Sequence, residues 1–296
     1  MTTNADLGPL CKLRDWIPVE KLNYACLSMN PNAIHLLEQN MDKINWKYLL
    51  FNPNAIHLLE KNVDKNNWWK WLSSNPNAIH LLEQNIDKIN WKYLSSNPNA
   101  IHLLEKNVDK IDWNWLSRNP NAIHLLERFP ERISSFMISL NRNANAIWDK
   151  HPELIDWFNL SSNPNAIHIL EGFPEIINSF MISLNRNANA IWDKHPELID
   201  WFTLSSNPNA IEVLKKNPDK IVWRQLSRNP NAMHLLEKNL DKIEWFNIST
   251  NPAIFEYDYE AMCNRMKPIA EEIMANRFHP RNFDKFVSWG FEDFEL

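Results

Sequence analysis

Polar and apolar positions recur along this chain at a fixed spacing. In Asn97-Pro98-Asn99-Ala100-Ile101-His102-Leu103-Leu104-Glu105, residues Ala100, Ile101, Leu103 and Leu104 fall within one arc at about 100° per residue, and His102 falls opposite it. Asn97 before Pro98 reads as a helix start, because Asn caps and Pro suits the first helical position. The pattern predicts a helix A of about nine or ten residues. A second apolar segment, Ile89-Asn90-Trp91-Lys92-Tyr93-Leu94, predicts a shorter helix B, with Asn90, Asp112, Asp156 and Asp200 as N-caps before Trp91, Trp113, Trp157 and Trp201. Pro130, Pro174 and Pro218 stand earlier in their own units and offer an alternative start for helix B; the pattern leaves both open.

The unit is repeated. Its first Asn occurs at Asn30, Asn52, Asn75, Asn97, Asn119, Asn163, Asn207 and Asn229, with a worn copy at Asn251, so the period is 22 residues. One step of 23 reflects an extra residue near Asn67-Trp68-Trp69-Lys70-Trp71, and two steps of 44 span degenerate copies. These read as Asn143-Ala144-Asn145-Ala146-Ile147-Trp148 and Asn187-Ala188-Asn189-Ala190-Ile191-Trp192, two residues late, with Trp148, Trp192 and also Glu212 at the usual His position. Ser135-Phe136-Met137-Ile138-Ser139-Leu140 returns as Ser179-Phe180-Met181-Ile182-Ser183-Leu184, the mark of a tandem duplication.

Helices this short are unstable alone and must be covered by their neighbours, which is the physics of a solenoid. The expected fold is therefore all-α: a right-handed α-solenoid of about eleven 22-residue two-helix repeats with distinct N- and C-terminal caps. Stacking at about 8–10 Å per unit makes this a rod or superhelix roughly 100 Å long. The expected boundaries are an N-terminal cap over 1–20, the solenoid over 21–253 and a C-terminal helical cap over 254–296. In the last, Tyr259 to Asn276 reads as an amphipathic helix that Pro268 should kink or split, and Phe283 to Trp289 as a final helix stopped by Gly290.

Composition narrows the chemistry. Three glycines rule out a P-loop and a dinucleotide turn. A net charge of −5 opposes electrostatic binding to nucleic acid or to an anionic membrane. Three scattered cysteines make neither a disulfide framework nor a zinc knuckle and suit a reducing compartment. With no signal-like apolar run at the start and no apolar stretch of about 18 residues, the expectation is a soluble, intracellular protein, not secreted and without a membrane partner.

The tandem Leu-Ser-x-Asn-Pro-Asn-Ala-Ile-His-Leu-Leu-Glu unit resembles short-repeat proteins of nucleocytoplasmic large DNA viruses, the giant viruses, over about 230 residues. Phe278-His279-Pro280-Arg281-Asn282, with Trp289-Gly290 after it, is similar to a tail on many proteins of those viruses. The resemblance implies a viral protein in host cytoplasm or virion. It supplies no catalytic residue, because members of the family are mostly of unassigned function.

Four rows of residues carry candidate chemistry, each beside a plainer reading. His35, His57, His80, His102, His124, His168 and His234 form an exposed ladder, the best candidate for an interaction face. Two adjacent units offer too few ligands for zinc, so no metal is expected, and a solvated face copied with the repeat is the plainer account. The Asn-Pro-Asn rows offer amides to a ligand, but capping and bonding between turns explain them without one. The tryptophans Trp46, Trp69, Trp91, Trp113, Trp157, Trp201, Trp223 and Trp245 offer stacking surfaces, with core packing preferred; Trp68, Trp71 and Trp115 break the pattern and are expected to be exposed. Asp-Lys pairs such as Asp42-Lys43, Asp64-Lys65, Asp87-Lys88 and Asp109-Lys110 cancel most of the field a lysine row would make, and Lys47, Lys70, Lys92 and Asn114 show no clear code. An active site needs one asymmetric place, which a ladder of copied residues lacks. The expected function is a non-catalytic protein–protein interaction scaffold of a giant virus, with no cofactor, binding a host or viral protein along an extended solenoid face. The alternatives are a structural component of the virion or assembly factory and an RNA- or DNA-binding helical repeat protein.

Overall fold

The computed structural model describes residues 11–61, 68–276 and 279–285, which form two compact units. The larger, Trp16–Ile254, holds all the repeats. The smaller combines the two chain ends, described from Cys11 to Asp15 and from Phe255 to Lys285.

Each repeat is built from short pieces. One runs through helix B (Trp91–Leu94), a turn at Asn97–Ala100, helix A (Ile101–Glu105) and a 3-10 turn (Val108–Lys110). Asn90 caps helix B by accepting from the Tyr93 amide, and Asp112, Asp156 and Asp200 do the same in their repeats. The start of helix B therefore lies at the tryptophan. Pro130, Pro174 and Pro218 open the separate 3-10 turn instead. Helix A is shorter than the pattern predicts, because Asn97 caps the preceding turn through the Asn99 amide and not the helix itself.

The core is a stack of identical layers. Leu94 and Leu116 on helix B, Leu104 and Leu126 on helix A, and Ala100 and Ala122 in the turn are fully buried, as are their counterparts in the other repeats almost throughout. Buried polar groups lock the layers together. Asn119 Nδ2 donates to the carbonyls of Ser95 and Asn97 at 3.0 and 2.9 Å, one repeat earlier. Ser95 Oγ donates to the Trp91 carbonyl and accepts from the Asp112 amide of the following repeat. These groups satisfy one another fully, which a buried polar row requires.

The ladder has eleven asparagines, from Asn30 to Asn251, and it closes. Asn30 Nδ2 donates to the carbonyls of Ser249 and Asn251 at 3.1 and 2.9 Å, the same pair of bonds that nine other ladder asparagines make with the repeat before them. Among the described residues only Asn75, in the repeat with the extra residue, lacks this pair of donations. Across the same seam the Asn23 amide donates to Ser249 Oγ, Asn32 Nδ2 donates to the Pro252 carbonyl, and Lys21 Nζ lies 4.9 Å from the centre of the Trp245 ring. Lys88 over Trp69 and Lys110 over Trp91 repeat that last contact inside the array at 4.9 and 4.7 Å. The repeats are all-α as expected, but the rod is corrected: first and last repeats are neighbours, and the array is a closed ring. Periodicity gives the step between units, whereas closure depends on the rotation each step adds.

The register of the degenerate copies is also corrected. Asn141 and Asn185, not Asn143 and Asn187, occupy the ladder, each donating to the two carbonyls of the preceding repeat. Arg142 and Arg186 replace the usual proline, and no lag exists. Ala146 and Ala190 then stand at the histidine position. Trp148 and Trp192 fill the place of a core leucine, 2% exposed, with indole Nε1 atoms that have no hydrogen-bond partner.

In the terminal unit, Cys11–Leu13 (β1) pairs antiparallel with Phe255–Tyr257 (β2), so the sequence caps are two halves of one structure. Tyr259–Asn276 is a single helix with Pro268 inside it. A 3-10 turn, Pro280–Lys285, replaces the start of the expected last helix; the rest of it, and the Asp64-Lys65 pair, lie outside the described residues. No helix among the described residues is long and apolar enough to cross a membrane.

Candidate functional site

Closure gives the ring an inside. At equal angular steps, matching parts of neighbouring repeats lie closer together at smaller radius. One asparagine side chain bridges successive turns of the ladder. Side chains on helix B, or just past its end in the case of Phe51, touch directly from one repeat to the next: the ring centres of Phe51 and Trp71, Trp71 and Tyr93, and Tyr93 and Trp115 are 5.0, 5.4 and 5.7 Å apart. On helix A, two long side chains are needed to span the same step. His57, His102 and His124 place Nε2 2.9, 2.8 and 2.9 Å from Glu38, Glu83 and Glu105 Oε1, and His80 pairs likewise with Glu60. Helix B and the asparagine turn therefore line the inner wall, and helix A forms the outer one. A depression of about 350 Å³ crosses three repeats at Arg118, Pro120, Leu140, Arg142 and Pro164, as expected of a wall that curves toward its own axis.

The histidine row thus lies on the outer wall. Four of its members are tied to a glutamate one repeat away while remaining exposed, and His35 meets Gln39 of its own helix at 2.8 Å. Lys150–Glu127 and Lys194–Glu171 make a comparable bridge where the degenerate repeats carry alanine at the histidine position. Among the described residues no three His, Cys, Asp or Glu side chains are grouped as a metal would need. The repeat tryptophans are half-buried, roofed by a lysine of the next repeat in several cases. Trp68, Trp71 and Trp115 are half-buried too: Trp68 stacks on Trp46, and the other two join the aromatic row along helix B.

The inner wall carries the variation that the sequence pattern did not decode. Its most exposed helix B position holds Lys47, Lys70 and Lys92 in three successive repeats, then Asn114. The next four repeats place Phe136, Phe158, Phe180 and Phe202 there, each 47–50% exposed. One turn further along helix B, Arg118 extends the basic arc, while Leu140 and Leu184 extend the apolar one. Arg224 and Arg228 lie beyond it, and Arg142 and Arg186 stand at the proline positions. These three rows hold eight cations and no carboxylate, in a chain of net charge −5. None of the eight takes part in the ion pairs of the described residues. The acids lie elsewhere: in the outer glutamate row, in the 3-10 turns and at the caps of helix B.

Compared with known proteins, the chain matches no family profile, no curated sequence and no solved structure.

Proposed function

We propose that the repeat ring is a non-catalytic protein-binding scaffold of a giant virus, acting in the host cytoplasm or the virion. One observation carries this reading. The buried rows of alanine, leucine, serine and asparagine are copied with little change around the ring, whereas the exposed inner row changes from lysine to phenylalanine by arcs. A frame held constant beneath a varied surface is how helical repeats present a binding wall. The viral assignment is supported by the resemblance of the repeat motif. The hydrogen-bonding groups of the ladder are consumed by the frame itself, so no copied catalytic group is left over to act at one place.

The test is a pull-down with the full chain from infected-cell lysate, with and without nuclease, followed by cross-linking of any retained protein. A stoichiometric protein that survives nuclease supports the scaffold. Nucleic acid recovered without a protein overturns it in favour of a helical nucleic-acid reader, the reading that Lys70 beside Trp71 and Tyr93 favours.

A further inference from the structure

We propose that the inner wall of the ring seats an acidic, amphipathic helical segment of a partner protein. This rests on the protein-scaffold reading and names the chemistry of the partner.

Charge is the first argument. Eight exposed cations, none of them in an ion pair of the described residues, converge on one wall of an acidic protein, and the curved low-dielectric surface concentrates their field. The complementary occupant is negative.

The second argument is the exposed apolar arc. Four phenylalanines about half exposed in consecutive repeats, with Leu184 on the same wall at 40%, give this arc an apolar face, and exposed apolar faces mark binding sites. Along the helix B row lysines hold one arc and phenylalanines the next, while Arg142 and Arg186 rim the apolar arc from the turn and Phe246, 49% exposed, stands beyond Arg224. A single nucleic-acid strand matches the basic, aromatic arc but sets phosphate against phenylalanine and leucine on the other. A helix with carboxylates on one side and apolar residues on the other satisfies both arcs at once, which is the groove-binding mode of amphipathic helices.

The third argument is size. Eleven inner helices at a closest spacing of about 8 Å make a circle roughly 28 Å across at their axes, and subtracting about 5 Å of helix on each side leaves an opening of about 18 Å. A single helix is about 10–12 Å wide. It fits with room for lysine and arginine side chains to reach its carboxylates.

The experiment uses the full chain and three fluorescein-labelled probes in physiological salt, read by anisotropy. The first is a helical peptide of about 18 residues with a leucine stripe and a glutamate stripe; the second has lysine for every glutamate; the third is an oligothymidine of similar length. The expected result is binding of the acidic peptide about tenfold or more tighter than either other probe. Lys47→Glu/Lys70→Glu/Lys92→Glu and Phe158→Ser/Phe180→Ser should each weaken it by about tenfold, with circular dichroism unchanged because all five residues are exposed. Equal binding of the two peptides, or affinity unchanged in both variants, overturns the proposal. Tighter binding of the oligothymidine overturns it in favour of a nucleic-acid channel. A partner captured from lysate equally by wild type and both variants also overturns it, while leaving the scaffold reading standing on another wall.

Discussion

Asn30 Nδ2 donates a 2.9 Å hydrogen bond to the carbonyl of Asn251, 221 residues away in the chain. The equivalent bond inside the array, from Asn141 to Asn119, is also 2.9 Å. The seam therefore has the same chemistry as the interior, which has a direct energetic consequence. In an open array the first asparagine would face solvent, and its loss would be nearly silent. In the ring, Asn30→Ala strands two buried carbonyls, as Asn141→Ala does, at a cost of about 3 kcal/mol in each case. Urea unfolding of the two variants should give similar losses; a loss near zero for Asn30→Ala alone means the ring is open in solution.

Cys26 offers a second reading of the seam. It lies on helix B of the first repeat, 2% exposed, and burial pushes its thiol up while Arg228 and Glu244, from repeats at the far end of the array, act on it in opposite directions. In a Cys11→Ser/Cys263→Ser background, a chromogenic disulfide reagent should label Cys26 slowly at pH 8, by more than about tenfold relative to unfolded chain. Asn251→Ala should speed the labelling without unfolding the rest of the ring.

The outer histidine row should matter little to stability. His102 and Glu83 meet at 2.8 Å, but their side chains are 45% and 49% exposed. His102→Ala should therefore cost less than about 1 kcal/mol, well below a ladder asparagine, in the same urea titration.

Acid should loosen two specific turns. The Glu153 and Glu197 carboxyls are held below the usual carboxylate range, first by their own backbone amides and then by His151 and His195. A carboxyl lowered in the folded state contributes stability that is complete above its ordinary value and is lost as the pH falls through the lowered one. Glu153→Gln/Glu197→Gln should thus flatten the decline of the urea midpoint between about pH 5 and pH 3, with little change near neutrality.

Much of the frame was legible in the sequence because its physics is local. Asn90 and Asp112 announce their caps, and Ala100, Leu103 and Leu104 announce the buried arc, by spacing alone. The register of the degenerate copies was lost because Ala-Ile-Trp in them imitates Ala-Ile-His, whereas the ladder is kept by Asn141 and Asn143 around an arginine. Closure was not legible, since curvature is set by how far each layer rotates on the last. The inner wall stayed hidden for the same reason. Lys47 and Phe136 occupy one repeat position four units apart, and only the fold shows that this position faces the axis.

A closed ladder also constrains heredity. An open array can lengthen or shorten by tandem duplication, since each added unit finds a free end. Eleven steps share a full turn at about 33° each, so a twelfth would require every junction to relax by about 3° or the seam between Asn30 and Asn251 to part. The near-identical copies that make unequal recombination easy are thus held at a fixed number by geometry: substitution can redraw the wall, but the count is fixed.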